Sequence, residues 1–307
     1  MKHTLLIIAA LMLVVGCSKE PEKEPINYET TLIERDGVHY TKDTNKPYSG
    51  PVFSLYENGQ KKEEVTLKDG KEEGKWILWY DNGQKNWEGT YKDGELDGLS
   101  TTWYDNGQKE WEGTYKDGEL DGLWTWWWNN GQKRKEGILK NWRSDGLTTA
   151  WYENGQKWYE VTSKDGKQEG LFISWRKNGQ KRSVTTYKDD KEDGLSTWWH
   201  DNGQKSQEGT FKDGKRDGLF IRWYENGQKF NKGTYKDGEK DGLWTWWWNN
   251  GKKRYEGTYK DGKEDGLWTY WFMFGQKEEE RTYKDGEKIS AKCWDWNGNE
   301  EDCDELE

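Results

Sequence analysis

An Asn-Gly-Gln tripeptide recurs every 24 residues along most of this 307-residue chain, and this period constrains the fold more than any other feature. A second series, of Asp-Gly pairs, has the same period and fails only at Trp142 and Asp190. A fixed period of this length indicates stacked structural repeats, each contacting mainly its neighbours. The glycines of the first series, the last two in slightly altered tripeptides, are Gly59, Gly83, Gly107, Gly131, Gly155, Gly179, Gly203, Gly227, Gly251 and Gly275.

Residues 242–265 show how one unit folds. Leu243 to Asn249 is rich in aromatic and β-branched residues, which favours a strand. Asn250-Gly251 predicts a type I′ hairpin turn, which needs positive φ at both central residues. Lys252 to Lys260 is the predicted return strand, and Asp261-Gly262 turns the chain again. Ten such units predict an all-β fold: an elongated single-sheet antiparallel meander of about twenty strands.

The position of a residue within the unit predicts which side chains pack. With Gly50 and its 24-residue successors as offset zero, offset five is Trp in nine of ten units, and offsets one and three are nearly as uniform. These three offsets share one face of a strand, so we predict that this face is packed. Offset four varies freely, which indicates that it is not packed in one fixed way. Its larger members are the candidate binding residues Trp126, Trp198, Arg222, Trp246 and Tyr270.

Composition and motifs narrow the class of function. Charged residues make up 35% of the chain and net charge is −10, with both signs interleaved, so we expect no nucleic-acid partner. His39 and His200 lie far apart, and no nucleophile elbow, phosphate loop or His/Cys cluster appears. Asp93-x-Glu95-x-Asp97-Gly98 imitates half of a calcium loop, but Tyr104 replaces the last ligand. The sequence therefore predicts no enzyme, no cofactor and no metal.

The N-terminus carries an export signal. Leu5 to Val15 is an apolar run too short to span a bilayer, and it ends in Val14-Val15-Gly16-Cys17. This tetrapeptide resembles the lipobox of bacterial lipoproteins, which implies a signal peptide over residues 1–16 and lipidation of Cys17. Residues 17–31 then form the lipidated Cys and a flexible tether. We expect an exported lipoprotein held in the outer membrane by its lipid anchor, facing the periplasm or the cell surface.

Two further cysteines stand near the C-terminus, on either side of Asn297-Gly298. A two-residue turn there places Cys293 opposite Asp302, one residue short of Cys303, and a bulge would bring the two sulfurs into range. In an exported chain a disulfide between Cys293 and Cys303 is expected rather than two free thiols. Residues 290–307 would then form a C-terminal capping hairpin that protects the last strand.

The segment Glu88-Gly89-Thr90-Tyr91-Lys92-Asp93-Gly94-Glu95-Leu96-Asp97-Gly98 resembles the MORN repeat. The Asn-Gly-Gln-Lys hairpin and the 24-residue spacing are similar to the variant found in bacterial YwqK-type antitoxins, and the resemblance covers about residues 32–303. It implies a degenerate N-terminal cap at residues 32–49, ten MORN-variant repeats at residues 50–289, and a toxin protein as partner.

The sequence leaves two functions open. One is a membrane-anchored protein-binding scaffold, which the resemblance to YwqK-type proteins would make antitoxin-like or immunity-like, with a toxin or an envelope protein as its partner. The alternative is binding of cell-envelope carbohydrate, peptidoglycan or another glycan, through exposed Trp at offset four. Against that alternative stands a structural interpretation, in which the offset-four Trp only cover the second face of the sheet.

Overall fold

Residues 23–303 are described by a computed structural model, and they are almost entirely β-strand. The predicted all-β meander is confirmed. The elements in chain order are β1 Ile26–Asn27, α1 Tyr28–Thr31, β2 Leu32–Arg35, β3 Val38–Thr41, β4 Gly50–Leu55, β5 Lys61–Lys68, β6 Lys71–Trp79, β7 Lys85–Lys92, β8 Glu95–Trp103, β9 Lys109–Lys116, β10 Glu119–Trp127, β11 Lys133–Lys140, β12 Arg143–Ser144, β13 Gly146–Trp151, β14 Lys157–Lys164, β15 Lys167–Trp175, β16 Lys181–Lys188, β17 Lys191–Trp199, β18 Lys205–Lys212, β19 Lys215–Trp223, β20 Lys229–Lys236, β21 Glu239–Trp247, β22 Lys253–Lys260, β23 Lys263–Trp271, β24 Lys277–Lys284, β25 Glu287–Trp294 and β26 Glu300–Glu301.

From β4 to β26 each strand pairs with the next along the chain in one open antiparallel sheet, except that β12 and β13 both pair with β11. At ~4.8 Å per strand, successive units lie about 9.6 Å apart. We number the units from unit 1, residues 50–73, to unit 10, residues 266–289. Among the described residues no helix is long and apolar enough to cross a membrane.

The N-terminal end of the sheet is covered by residues that the sequence placed in the flexible tether. Strand β1 pairs in parallel with β4, and the short helix α1 leads into the β2–β3 hairpin. Ile26 and Tyr28 pack against the small core of Leu32, Val52 and Val65, and this apolar contact explains why the segment is ordered. Residues 1–22, with Cys17 and the predicted signal peptide, lie outside the described residues.

The Asn-Gly hairpins are not type I′ turns, so this prediction is wrong. Gly251 has φ 84°, but Asn250 does not have positive φ. The backbone N–H of Gly251 donates to the carbonyl of Trp248, and Trp248 N donates to Lys252 O, which is a type I turn followed by a glycine bulge. The Asn250 carboxamide oxygen accepts a hydrogen bond from Lys252 N at 3.0 Å, which favours this longer turn.

The Asp-Gly turns are the ones with positive φ at both central residues, for example 48° at Asp261 and 78° at Gly262. The two turns that lack glycine keep the same conformation: Trp142 has φ 62° and Asp190 has φ 67°. A side chain in this left-handed region costs roughly 1–2 kcal/mol. The repeat geometry therefore overrides local preference at these two positions.

The predicted packed face is also wrong in its main part. The Leu side chains at offset one are 48–59% exposed, and the Trp at offset five are half-buried. Offset three is buried in the five of its six Thr that precede unit 10, whereas Thr269 in unit 10 is half-buried. Full burial of large side chains is found instead at offset two, where Phe220, Trp244 and Trp268 are each 1% exposed. We call the face with offsets two and four the ring face, and the face with offsets one, three and five the Leu face.

Glycine at offset fifteen explains why the rings pack on the ring face. A Cβ at Gly233 would lie 2.0 Å from the indole of Trp244, and one at Gly257 would lie 2.1 Å from that of Trp268. Neither glycine has positive φ, so the backbone alone does not require it. Each indole lies flat on the main chain of the preceding strand and donates from Nε1, Trp244 to Thr234 O at 3.0 Å and Trp268 to Thr258 O at 3.3 Å.

The C-terminal end of the sheet is closed by a disulfide. Cys293 and Cys303 are joined with their Cα atoms 5.3 Å apart, and Cys293 is 2% exposed. Cys293 pairs with Glu301 rather than with Asp302 as predicted. The reason is again the turn: Asp295 N donates to Asn299 O, so the loop is longer than two residues and shifts the register.

Candidate binding face

The five candidate binding residues lie in one row of the ring face, because offset four of each unit pairs with offset thirteen of the flanking strands. They are not equally accessible. Trp126 is 38% exposed, whereas Trp246 is 6% exposed, which contradicts an exposed Trp stripe along the whole row. Trp198, Arg222 and Tyr270 are half-buried.

Units 8 to 10 form a filled stretch of this row. Trp246 stacks on Tyr255 with ring centroids 4.4 Å apart and on Trp244 at 5.4 Å. Tyr270 lies 5.6 Å from Tyr255. The ammonium of Lys240 lies 4.9 Å from the centroid of Trp246 and donates to the Tyr259 hydroxyl at 3.2 Å. The structure therefore brings Trp246 and Tyr270 together as packing residues.

The other candidates belong to different surroundings. The Arg222 guanidinium lies 5.5 Å from the centroid of the Phe220 ring, at the margin of the filled stretch. Trp198 donates from Nε1 to the Ser196 hydroxyl at 3.2 Å. Trp126 is far along the row from both and faces Trp111 across the strand pair, with ring centroids 6.3 Å apart.

Around unit 3 the row opens into a groove, because offsets two and four are Ser100 and Thr102 where the filled stretch has aromatic rings. Thr102 pairs with Trp87 on one side and Trp111 on the other. The groove between Trp111 and its neighbours has a volume of about 570 Å³, and a second cavity of about 400 Å³ lies on the far side of Trp87. Thr102 lines both. The lining of the larger one consists of Trp87, Leu96, Ser100, Thr102, Glu110, Trp111, Tyr115, Leu120, Trp124, Trp126 and Leu139.

Trp124 differs from its equivalents in the filled stretch. It is 8% exposed, yet its Nε1 has no hydrogen-bond partner among the described residues. The space over the glycine of its preceding strand is taken by another ring, since a Cβ at Gly113 would lie 2.5 Å from Trp111. The Trp124 ring instead lies near Gly137 of the following strand. A buried donor without an acceptor costs roughly 1–3 kcal/mol, so unit 4 is less well satisfied than unit 9.

Burial changes the acid–base properties of the ring face. It raises the pKa of the Tyr115 hydroxyl beside the groove and of the Tyr259 hydroxyl in the filled stretch. It lowers the pKa of the Lys240 ammonium. Burial, together with the neighbouring Glu279, raises the pKa of Glu278. These groups are spread along the sheet and do not converge on one reacting position.

The histidines and the acidic turn residues serve structural contacts. His39 is buried, and its Nε2 lies 3.0 Å from Glu72 Oε1, which joins the N-terminal hairpin to unit 1. His200 Nε2 lies 2.9 Å from the carbonyl oxygen of Trp223. In residues 23–303 only Glu279, Cys293 and Cys303 come close enough together to resemble a metal-ligand set, and these two sulfurs are bonded to each other.

Sequence reasoning missed a ladder of hydrogen bonds that joins the units. The residue at offset six donates to the main-chain carbonyl of the offset-five Trp one unit later. Tyr224 does so from its hydroxyl to Trp247 at 2.9 Å, and Arg176 from Nη2 to Trp199 at 2.7 Å. In units 1 to 9 this offset is Tyr, Trp, Arg or His, each with a side-chain N–H or O–H; unit 10, which no further unit follows, has Phe272 there. This shared donor capacity was the signal available in the sequence.

The Leu face has a ladder of its own. A Lys at offset eleven lies over the offset-five Trp of the next unit, as Lys253 does over Trp271 at 5.3 Å. In eight of ten units the same Lys is paired with a Glu at offset fourteen, for example Lys253 with Glu256 at 2.8 Å. The Thr at offset three completes the group where it donates to that Glu, as Thr245 does to Glu256 at 2.8 Å.

Comparison with known proteins gives one family match. The model described as "MORN repeat variant" matches seven segments of 22 residues, 154 of the 307 residues: 72–93, 96–117, 120–141, 144–165, 192–213, 216–237 and 240–261. No curated protein matches the chain in sequence. Two solved structures, titled TcdB2-TccC3 and TcdB2-TccC3-Cdc42, align with 88% of this chain at 12% and 10% identity, each with a TM-score of 0.19. The chain spans about a sixth of their length, 17% and 16% respectively.

Proposed function

Because the chain belongs to the MORN repeat variant family, we propose that it is a non-catalytic scaffold whose protein partner docks in the groove around unit 3. The observation that carries this proposal is the contrast along the ring face. The same offsets that are filled by Trp244 and Trp246 in unit 9 are Ser100 and Thr102 in unit 3, which leaves an aromatic groove of about 570 Å³ open.

The lining of the groove favours a protein over a sugar. Leu96, Leu120 and Leu139 add aliphatic surface beside the Trp rings, and polar groups are few. Aromatic-lined apolar clefts with a few polar groups suit an apolar anchor side chain, as at the centre of protein interfaces.

The lipobox-like segment before Cys17 supports a location for this scaffold. As an exported lipoprotein anchored in the outer membrane, it would meet an envelope protein, or a toxin if the role is antitoxin-like immunity. Cys17→Ser is expected to leave uncleaved precursor and to block acylation. Processing of that variant to the mature mass, with retention in the membrane fraction, would contradict the lipid anchor.

Filling the groove tests the docking site. Thr102→Trp places in unit 3 the ring that units 4 and 9 carry at the same offset, so the repeat should keep its fold while both cavities around Trp87 close. Gln207→Trp is the matched control, because it adds the same ring to the same row in unit 7 and leaves the groove open. The immobilised full-length protein is incubated with envelope extract, and bound proteins are identified by mass spectrometry and then titrated individually.

We expect a protein that binds the wild type and Gln207→Trp with equal affinity and is lost with Thr102→Trp. Retention by Thr102→Trp, with strand content and melting unchanged, would reject the groove as the docking site. Carbohydrate binding through offset four stays the alternative, and half-exposed Trp126 is the residue that favours it. Retention of purified sacculi by wild type but not by Trp126→Ala would favour the glycan instead.

A further inference from the structure

Unit 8 breaks the charge pattern of the Leu face. In eight units the offset-eleven Lys is paired with a Glu three residues later, with Nζ and the carboxylate 2.5 Å apart in Lys61–Glu64 and Lys205–Glu208. In unit 6 the Glu is replaced by Val184, and in unit 8 by a second lysine, Lys232. Unit 8 therefore presents two ammonium groups at positions that elsewhere form an ion pair.

Neither of these two ammonium groups, those of Lys229 and Lys232, has an ion-pair partner in residues 23–303. Lys229 lies over the Trp247 ring at 5.7 Å from its centroid, and Lys232 is exposed. Lys232 pairs with Ile221 on one side and Thr245 on the other, so it points to the Leu face. The carboxylates of the same row, Glu208 and Glu256, stand two strands away, and each is already paired with the Lys of its own unit.

A cavity of about 280 Å³ lies beside Lys229, between units 8 and 9. Two offset-five indoles, Trp223 and Trp247, form part of its wall, and Gln228 adds a carboxamide. Gly227 and Gly251, from successive Asn-Gly hairpins, complete the wall. Because glycine has no side chain, a ligand can approach the main chain closely there. The cavity thus combines aromatic surface, an amide and an unpaired ammonium.

We propose that this cavity binds a carboxylated sugar, with the sugar ring on the indoles of Trp223 and Trp247 and its carboxylate directed to Lys229. Lys232 lies outside the cavity wall, exposed on the same face, and adds the second ammonium. The charge required follows from eight other units, where the Lys at offset eleven is paired with the carboxylate of a Glu at offset fourteen. A ring-bearing ligand follows from the two indoles, since sugar rings present apolar faces to aromatic side chains. Charge-assisted hydrogen bonds from two ammoniums supply the strongest single interaction.

The proposed site is independent of the groove around unit 3. It lies on the opposite face of the sheet and about five units further along the chain. An anchored protein with this site would hold an acidic polysaccharide on its Leu face while the ring face remains free for a protein. Failure of either proposal leaves the other untouched, because their variants and ligands differ.

The test is isothermal titration of the full-length protein at low salt with glucuronate, with an oligosaccharide containing glucuronate, with a neutral glucose oligomer of equal length, and with acetate. Lys232→Glu is the decisive variant, because it restores the ion pair of eight other units and should leave the fold intact. Val184→Glu is the matched control, because it makes the same restoration in unit 6 and leaves the cavity unchanged.

We expect the acidic oligosaccharide to bind wild type and Val184→Glu equally, and Lys232→Glu about tenfold or more weakly, since hydrogen bonds to charged groups are the main contribution. If glucuronate alone binds and its binding is weakened in the same way by Lys232→Glu, a single acidic sugar is sufficient for recognition, as proposed. Equal binding of the neutral oligomer, unchanged binding by Lys232→Glu, or equal binding of acetate overturns the proposal.

Discussion

The glycine at offset fifteen is predicted to serve as the seat of an aromatic ring rather than as a backbone hinge. Gly257→Thr places a Cβ 2.1 Å from the Trp268 indole, so the ring must move away. Trp76 shows the result of such a change. It is at offset two like Trp268, but the offset-fifteen residue that pairs with it is Val65 instead of glycine. Trp76 is only half-buried, and its Nε1 has no hydrogen-bond partner among the described residues.

The cost follows from this comparison. A Trp side chain buries roughly 150–250 Å², and loss of about half of that at ~25 cal/mol/Å² costs about 2–3 kcal/mol. Loss of the Trp268 Nε1 bond to Thr258 O adds about 1 kcal/mol. Thr has a greater strand preference than Gly, and this offsets up to about 1 kcal/mol of the loss in stability. We therefore expect Gly257→Thr to destabilise the sheet locally by about 2–3 kcal/mol.

A double-mutant cycle distinguishes displacement of the Trp268 ring from a direct effect of Gly257→Thr on the backbone. In units 6 and 7 the same two positions hold Thr185 and Ser196, whose hydroxyls lie 2.9 Å apart and are buried. In a Trp268→Ser background Gly257→Thr should therefore cost less than about 1 kcal/mol. Hydrogen exchange of the amides in β22 and β23 measures both steps locally, which suits a repeat protein that opens in segments. An equal cost in the two backgrounds would refute the ring-seat explanation.

Four other predictions test the repeat, its ladder, its strained turn and its titration. Deleting one whole unit should leave a shorter folded sheet, whereas deleting 12 residues should disrupt the meander; circular dichroism melts of equal stability would contradict this. Tyr224→Phe removes one inter-unit bond and should lower stability by about 1 kcal/mol in denaturant titration, and no change would mean that the ladder contributes little. Trp142→Gly relieves a left-handed side chain and should raise stability by about 1 kcal/mol in the same assay, whereas a loss would show that its exposed ring matters more. Because burial raises the pKa of Glu278 in the fold, stability declines as pH rises from the ordinary Glu pKa through that raised pKa, so Glu278→Gln should raise stability in denaturant titration at neutral pH and leave it unchanged in acid; a gain independent of pH would contradict this.

Much of the candidate surface could be read from the sequence, and its accessibility could not. Trp126, Trp198, Arg222, Trp246 and Tyr270 do share one row of the sheet, as the two-residue alternation of strands requires. Their burial differs because it depends on the size of the side chains that surround each of them on the ring face. Trp246 is enclosed by four aromatic neighbours and a lysine, while Trp126 borders a unit with Ser and Thr.

Uniformity at one offset was a misleading signal for packing. Offset one is Leu in eight units and yet is exposed, because a single sheet has no second layer to cover it. Offset two varies from Ser to Trp, yet where it is large and follows a glycine seat it is the most buried position. A periodic sequence keeps any repeated contact uniform, including the half-exposed Lys–Trp ladder, so regularity alone does not distinguish a core from a ladder.

The sequence by itself determined the period, the positions of the turns and the two-residue alternation, and these require an open antiparallel meander, because each unit can bury its side chains only against its neighbours. Tertiary structure decided the turn types, since Asn-Gly fits two hairpin geometries that differ in loop length. It also decided which face is packed, because the rings at offset two are fully buried only where the adjacent strand offers a glycine to receive them. The groove at Thr102 and the unpaired lysines of unit 8 are departures from the repeat, and only the folded sheet shows which departures leave space.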